Sequence, residues 1–489
     1  MTASRTLPVA QQAREEGACC GACAAQATRE QVAAEDRATA APPVTVKARP
    51  PLPTRPISRD TDRRVTMGGI LLAAMLLGLA LASIALPPAD RHGLWLPLHL
   101  ALAGAAGTAV SAVLPFFAAA ISQARPSAPA IRIGAIGLVA GGALVVSGGV
   151  VLDASTVATA GGLAYVVAIA VVAVAAFVPL RRALAPRVRV IAGAYGLALA
   201  QVAVGATMAT ALLAGFAPVT EQWALLKPAH GWLNLFGFLS VVVATSLIHL
   251  APTVAGSRIR SRRSAMVAVA ALVAGPPLVA LGFALGSDVI ARLGALSELV
   301  GAAALVLHAI AVRRDRGQWT TDPGWHRMSG WSLTAAPAWF AVGVAIASGR
   351  IMSLGAVPSA WSVELIAAPL VLGWLVQVLI GSWTHLVPSI GPGDQPTHAR
   401  QRVLLGRGST ARLALLNGGV ALLALGLFAD ALPVLVIGGL AALGSVAWAL
   451  AMLLAAATAT RIRPTELRHS LDKTAQFFRF VLRSRTVPV

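Results

Sequence analysis

The chain has 489 residues, of which 57% are hydrophobic and only 12% are charged. Soluble domains carry about 25% charged residues, so this composition excludes an ordinary soluble protein. The formal net charge is +20, but the arginines cluster between apolar blocks, which indicates orientation in a membrane rather than nucleic-acid binding.

The N-terminal segment 1–65 is rich in Ala, Pro, Arg and Thr, and its composition predicts a disordered cytoplasmic tail. All three cysteines lie in this tail, at Cys19, Cys20 and Cys23, so no disulfide framework supports the fold. Three thiolates fall short of a four-cysteine zinc or iron–sulfur site, and we interpret them as incidental, with a flexible copper-binding cluster as the alternative. The tail has no signal-peptide pattern, which predicts that the first span is an uncleaved anchor.

After the tail come twelve apolar blocks, each long enough to cross a ~30 Å hydrocarbon core as a helix. We therefore predict an all-α polytopic membrane protein, with about twelve transmembrane helices forming one bundle over 66–457. The predicted spans are 66–88, 94–121, 132–151, 157–179, 189–215, 229–253, 264–285, 289–312, 331–348, 362–388, 413–429 and 432–457.

Alternate loops between these spans are rich in arginine. The positive-inside rule places those loops and both termini in the cytoplasm, with the chain in the cell inner (plasma) membrane and the lipid bilayer as its main partner. The C-terminal segment 458–489 has apolar residues on one helical face and basic residues around them, which predicts a helix on the cytoplasmic membrane surface. The apolar face consists of Leu467, Leu471, Phe478 and Leu482.

Five of the nine histidines fall in or at the ends of predicted spans, where ionisable side chains are costly and are candidates for function. They are His99, His230, His249, His308 and His385. The predicted topology puts the first two near the outer surface and the other three near the cytoplasm. His308, beside an arginine-rich loop, is a candidate metal ligand, with a plain interfacial position as the alternative.

The sixth span carries two of these histidines. At 100° per residue, His230, Asn234, Thr245 and His249 share one stripe of a helix. A rise of 1.5 Å per residue separates the two histidines by about 28 Å, so they cannot share one ligand. We predict that they belong to two sites at opposite faces of the membrane.

Small residues accompany two of the histidines. Ala103, Gly107 and Ser111 follow His99 at one-turn intervals, and Gly381 lies one turn before His385. Such a face either admits a close helix or leaves room for a flat macrocycle. Imidazole ligates haem b and copper equally well, so both cofactors stay open.

Three stretches carry a resemblance to a known family: "WLPLHLALAGAAGTAVSAVLPFFA", "AHGWLNLFGFLSVVVATSLIHLAPTVAGSRI" and "GSWTHLVPSIGPGDQPTHARQRVLLGR". With twelve spans and histidines on the second, sixth and tenth, the chain resembles the heme-copper oxidase subunit I superfamily. Within it, the divergent branch that includes the NnrS haem-and-copper membrane proteins is the most similar. The resemblance implies haem b or copper within the bundle, electron transfer with a redox partner, or the handling of nitric oxide or oxygen. It implies an outer site between His99 and His230 and an inner site between His249 and His385.

The chain also departs from the oxidase pattern. The seventh span, "SAMVAVAALVAGPPLVALGFALG", has no histidine pair to complete a copper site, and the tenth has a single histidine, His385. These departures count against a complete oxygen-reducing oxidase.

Two other functions are open. A twelve-span transporter of a small solute or metal could line its path with polar residues of the bundle, although no obvious internal repeat supports this. Those residues are Gln201, Asn234, Glu298 and Glu364. The other option is a structural or assembly factor without a cofactor. No catalytic motif fixes an enzyme class. In the loop "GPGDQPTHARQR", Asp394 is predicted to cap a helix.

Overall fold

The computed structural model describes residues 60–181, 186–258, 262–317, 324–361 and 363–459. These residues contain twelve helices long and apolar enough to cross a membrane, which confirms the predicted all-α polytopic bundle. The predictions for the three cysteines, for most of the N-terminal tail and for the C-terminal surface helix lie outside the described residues.

We number the twelve spanning helices in chain order. They are α1 (Asp60–Ser83), α2 (Trp95–Ser122), α3 (Pro129–Val151), α4 (Ser155–Leu180), α5 (Pro186–Leu213), α6 (Trp223–Ala255), α7 (Arg262–Leu285), α8 (Asp288–Arg314), α9 (Trp325–Leu354), α10 (Pro358–Ile390), α11 (Ser409–Phe428) and α12 (Leu432–Thr458).

Several helices extend beyond the predicted spans. Helix α1 begins at Asp60, six residues before the predicted start, and α9 covers Trp325–Leu354 rather than 331–348. Hydropathy marks only the part of a helix that lies in hydrocarbon, whereas hydrogen bonding and tertiary contacts continue the helix into polar surroundings. Asp62, in the added first turn of α1, forms an ion pair with Arg132 of α3.

The bundle consists of three successive units of four helices: α1–α4, α5–α8 and α9–α12. In each unit the third and fourth helices pack closely as a hairpin, and the second helix contacts both the first and the third. The second helices, α2, α6 and α10, are also the most enclosed, with 72%, 78% and 67% of their most apolar stretch buried, against 28–50% in the other nine. These three are the inner helices of the protein.

The three units repeat one arrangement of helices, although no repeat is obvious in the sequence. The inner helices end in related sequences: "HLAP" at 249–252 in α6, "HLVP" at 385–388 in α10, and "AVLP" at 112–115 in α2. Their prolines, Pro115, Pro252 and Pro388, lie 137 and 136 residues apart. The period is long and the shared letters are few, which explains why the repeat does not stand out in the sequence.

Each inner helix contains one π-helical segment. The segments are Leu100–Ala106 in α2, Trp232–Ser240 in α6 and Ala368–Val376 in α10. A π-helix bonds residue i to i+5 and turns less per residue than an α-helix, and such segments are frequent at functional sites. The stripe predicted from His230 to His249 assumed 100° per residue throughout, so that assumption does not hold across α6.

Close glycine contacts hold the hairpins together. A Cβ atom at Gly282 of α7 would lie 2.5 Å from the backbone nitrogen of Ala291 of α8, and one at Gly294 would lie 2.6 Å from that of Val279. The two backbones therefore approach too closely for any side chain, as small-residue interfaces allow.

We expect Gly282→Ala to lower the free energy of unfolding by about 1–3 kcal/mol, because the methyl group forces α7 and α8 apart. Gly78→Ala in α1 is the matched control, since no atom lies within 4 Å of its Cβ position. There alanine should be neutral or stabilise by up to about 1 kcal/mol. Unfolding in mixed detergent micelles measures both, and an equal effect of the two substitutions would contradict the close packing.

The short helix Gln395–Gly406 joins α10 to α11, and Asp394 is its N-cap. The Asp394 carboxylate accepts a hydrogen bond from the Thr397 backbone N–H at 2.9 Å, which confirms the predicted cap. The hydrogen bonds from Thr397 hold the pKa of Asp394 below its usual value.

Candidate functional site

The histidines of the inner helices lie at the two ends of these helices. A Pro-x-His sequence stands near the start of α2 (Pro97–His99) and of α6 (Pro228–His230), and a His-Leu-x-Pro sequence stands near the end of α6 and α10. Helices α2, α6 and α10 all have even numbers in the bundle and run in the same direction. His99 and His230 are therefore at one face of the membrane, and His249 and His385 are at the other.

His99 is the last residue before the π-helical segment of α2. Its Nδ1 lies 2.8 Å from the carbonyl oxygen of Trp95, and its ring stacks on the Trp95 indole at 4.1 Å between centroids and 25° between planes. A carbonyl oxygen can only accept, so Nδ1 carries the hydrogen and the Nε2 lone pair is left for another partner.

His230 lies two residues before the π-helical segment of α6. Its Nδ1 lies 2.9 Å from the carbonyl oxygen of Gly205 in α5 and 3.2 Å from the Asn234 amide nitrogen. The shorter contact, to the carbonyl oxygen, favours the hydrogen on Nδ1. The Asn234 amide, one turn on, donates to the His230 carbonyl at 2.7 Å. A Cβ atom at Gly205 would collide with that amide, so only glycine lets α5 approach this closely.

His99 and His230 lie within electrostatic range of each other, on two helices whose π-helical segments are in contact. Trp95 stacks on His99, and Trp223 lies 5.9 Å from His230. The structure thus brings the two predicted outer residues together, each with Nδ1 tied to a backbone carbonyl and an indole on its own helix. We call His99 and His230 the imidazole pair, and Trp95 and Trp223 its tryptophans.

At the opposite ends of the inner helices, His385 faces the start of α9. Its ring stacks on Trp325 at 5.3 Å between centroids and 6° between planes. The Trp325 indole N–H donates to the Thr384 carbonyl, and Arg402 lies 5.5 Å above the same indole. His326, next along α9, interacts electrostatically with His385. None of these contacts could be read from the sequence, because α9 and α10 meet there only through tertiary packing.

The predicted partner of His385, His249, lies on α6, where its carbonyl accepts a hydrogen bond from Thr253 at 2.9 Å. His249 and His385 occupy equivalent places in the second and third units. The inner site that joins these two residues stays a prediction. His308 is buried in α8, on the same face as Glu298, and its role as a metal ligand also stays a prediction.

The small residues near the histidines accommodate neighbouring helices. A Cβ atom at Gly107 would lie 2.6 Å from the Tyr165 hydroxyl of α4, which donates to the Ala103 carbonyl at 3.3 Å. A Cβ atom at Gly381 would lie 2.7 Å from the Ser332 Cβ of α9. Of the two alternatives for these faces, the structure therefore favours close helix packing over an open space for a macrocycle.

A buried carboxyl group of α8 contacts the inner helix that carries His230. Glu298 of α8 is fully buried, and its Oε1 accepts a hydrogen bond from the Trp232 indole of α6 at 2.6 Å. Trp232 is the first residue of the π-helical segment that follows His230. Glu298 thus contacts the inner helix directly, which the sequence could not indicate.

Within the described ranges, no group of three or more His, Cys, Asp or Glu side chains is arranged to hold a metal ion. Two imidazoles are a ligand set that haem iron and copper both accept. No protein-family model matches the chain, and comparison with curated proteins finds no significant match.

Proposed function

We propose that this membrane protein binds haem b or copper through the Nε2 atoms of His99 and His230. We further propose that it transfers electrons, or handles a small gas such as nitric oxide or oxygen, without being a complete oxygen-reducing oxidase. The observation that supports this most is that the two rings have the same hydrogen-bonding arrangement, each with a different backbone carbonyl. Metal-ligating histidines usually donate the second ring N–H to a carbonyl or carboxylate, which fixes the tautomer and raises the basicity of the ligating nitrogen.

In this proposal the chain's own residues orient two ligands. The Trp95 and Gly205 carbonyls hold the two rings with Nε2 free, and Trp95 covers one face of His99. An imidazole-ligated metal supplies one-electron chemistry that side chains lack. A redox partner would then dock at the face where α2 and α6 begin, which the arginine distribution predicts to be the outer face of the plasma membrane.

We expect the purified full-length protein, produced with haem and copper in supply, to hold one of the two cofactors. Haem would give Soret and α-bands in a reduced-minus-oxidised spectrum, and copper would appear in elemental analysis. His99→Ala or His230→Ala should lower cofactor retention by more than tenfold, because even the loss of a residue that only orients a ligand costs about 10–100-fold in metal affinity.

His92→Ala is the matched control. His92 is exposed and meets Trp95 only edge-on at 6.4 Å, so its removal should leave retention unchanged. Size-exclusion profiles establish that each variant is folded. A protein free of both cofactors would refute the proposal, and full retention in both variants would reassign the ligands. Parallel spectra of His249→Ala, His385→Ala and His308→Ala test the predicted inner ligands.

A further inference from the structure

A cavity of about 70 Å³ lies where the three inner helices meet, in the half of each helix nearer its C-terminal end. Fifteen residues line it, five from each of α2, α6 and α10. All are apolar or aromatic except Ser246 and Ser382. The cavity is lined by the most buried helices of the protein, is partly open, and lies away from the imidazole pair.

The lining follows the internal repeat. Aligning the inner helices on Pro115, Pro252 and Pro388 places nine of the lining residues at three sets of equivalent positions. The sets are Ala109 with Ser246 and Ser382, Val110 with Leu247 and Trp383, and Val113 with Leu250 and Leu386. The cavity therefore lies where the three units meet, and the packing of the repeat itself creates it.

Water is poorly suited to this space. An ordered buried water needs two to four polar partners, and genuinely empty cavities in proteins are apolar. The Ser246 hydroxyl is already within hydrogen-bond distance of the Tyr195 hydroxyl, at 3.0 Å. Ser382 then supplies the main remaining polar group, which falls short of what one water molecule requires.

The volume limits the size of an occupant. It is several times the ~10–15 Å³ that one water-sized molecule needs, and about half of an engineered apolar cavity of ~150 Å³ that takes up xenon or benzene. A molecule of two or three heavy atoms fits this volume. We propose that the cavity between α2, α6 and α10 is a binding site for a small apolar molecule of the diatomic-gas class.

Two lining residues connect the cavity with the His-Leu-x-Pro segments. Leu250 and Leu386, at its C-terminal end, each directly follow a histidine of a His-Leu-x-Pro segment. A gas held there would lie within about one helical turn of His249 and His385, measured along their helices. Binding depends on the cavity alone, whereas the identity of the gas as a substrate of a metal centre rests on the proposed function.

Xenon serves as the probe, because it is apolar, of suitable size and visible by anomalous scattering. In crystals of the full-length protein under xenon pressure, we expect one site between Val110, Leu247 and Trp383. Ala109→Leu should abolish it, because the added carbons fill the space. Ala120→Leu makes the same change on an exposed position of α2 and should leave the xenon site intact.

The inference is overturned if the wild-type protein shows no xenon at this position, if an acyl chain or ordered water fills the cavity, or if Ala109→Leu retains the site. Val113→Phe fills the same cavity from another position and replaces Ala109→Leu if that variant does not fold. The outcome is independent of the cofactor spectra. Xenon binding in a cofactor-free protein would establish the cavity and refute the metal proposal. A protein that holds a cofactor but binds no xenon would support the metal proposal and refute the cavity site.

Discussion

Replacing Asp62 with alanine is expected to lower the free energy of unfolding by about 3–5 kcal/mol, because it leaves a buried arginine without its counter-charge. Arg132 of α3 is fully buried, and its guanidinium donates to the Asp62 carboxylate at 3.0 Å and to the Thr66 hydroxyl at 2.6 Å. Both partners lie in α1. Removing the carboxylate leaves the buried guanidinium with one neutral acceptor, at a site where the Asp62 side chain is only 13% exposed.

Reversible unfolding in mixed detergent micelles measures this effect, and two comparisons separate charge from packing. The double substitution Asp62→Leu with Arg132→Met removes both charges and should recover most of the loss, since a buried ion pair is often no more stable than apolar residues of similar volume. Arg292→Ala breaks the exposed pair with Asp288, 3.7 Å long, and should cost less than about 1 kcal/mol. If Asp62→Ala behaves like Arg292→Ala, the α1–α3 ion pair is not a structural element.

The same ion pair illustrates what hydropathy can and cannot predict. The twelve spans follow from apolar blocks of sufficient length, and all twelve are present because that signal needs no tertiary information. Arg132 and Arg412 count as loop charges in the sequence, yet both are buried. Arg132 has Asp62 as its partner, and Arg412 donates to the Leu405 carbonyl. Which arginine finds a partner depends on helix packing, which composition does not contain.

The candidate site, like the helix packing, could be predicted from the sequence only in part. The rule that ionisable residues in spans are functional candidates selects His99 and His230, and their depth places them at one face. The hydrogen bond from His230 to the Gly205 carbonyl joins residues 25 positions apart on different helices, so no local pattern reveals it. The π-helical segments are equally hidden, since they depend on how the inner helices pack, and they change the rotation that a periodicity argument assumes.

The internal repeat is a third feature that could not be predicted from the sequence. Equivalent positions differ in side chain, with His249 and His385 matched by Ala112, and His99 and His230 having no histidine at the start of α10. The prolines, the burial pattern and the π-helical segments persist across the three units. A repeat preserved in architecture but not in letters becomes visible once the three inner helices are seen to occupy equivalent places.

Trp232→Ala is expected to destabilise the protein by about 3–5 kcal/mol through the cavity it leaves. Trp232 is fully buried in α6, stacks on Phe236 at 4.8 Å, and contacts Phe283 at 5.9 Å and Trp361 at 5.5 Å. It therefore joins α6 to α7 and to the start of α10. Its indole N–H is also the donor to Glu298, so alanine removes a packing group and a hydrogen bond together.

Trp232→Phe separates these two contributions. Phenylalanine keeps most of the aromatic contacts and removes only the donor, so the expected loss is about 1–3 kcal/mol, the cost of leaving a buried acceptor unsatisfied. Combining Trp232→Phe with Glu298→Met removes donor and acceptor at once and should recover part of that loss. A double-mutant cycle in micelles gives the coupling energy between the two side chains directly. A coupling near zero would mean that another group satisfies Glu298 and that the α6–α8 contact depends on aromatic packing alone. A coupling above about 1 kcal/mol would identify the Trp232–Glu298 hydrogen bond as the contact that fixes the π-helical segment beside His230.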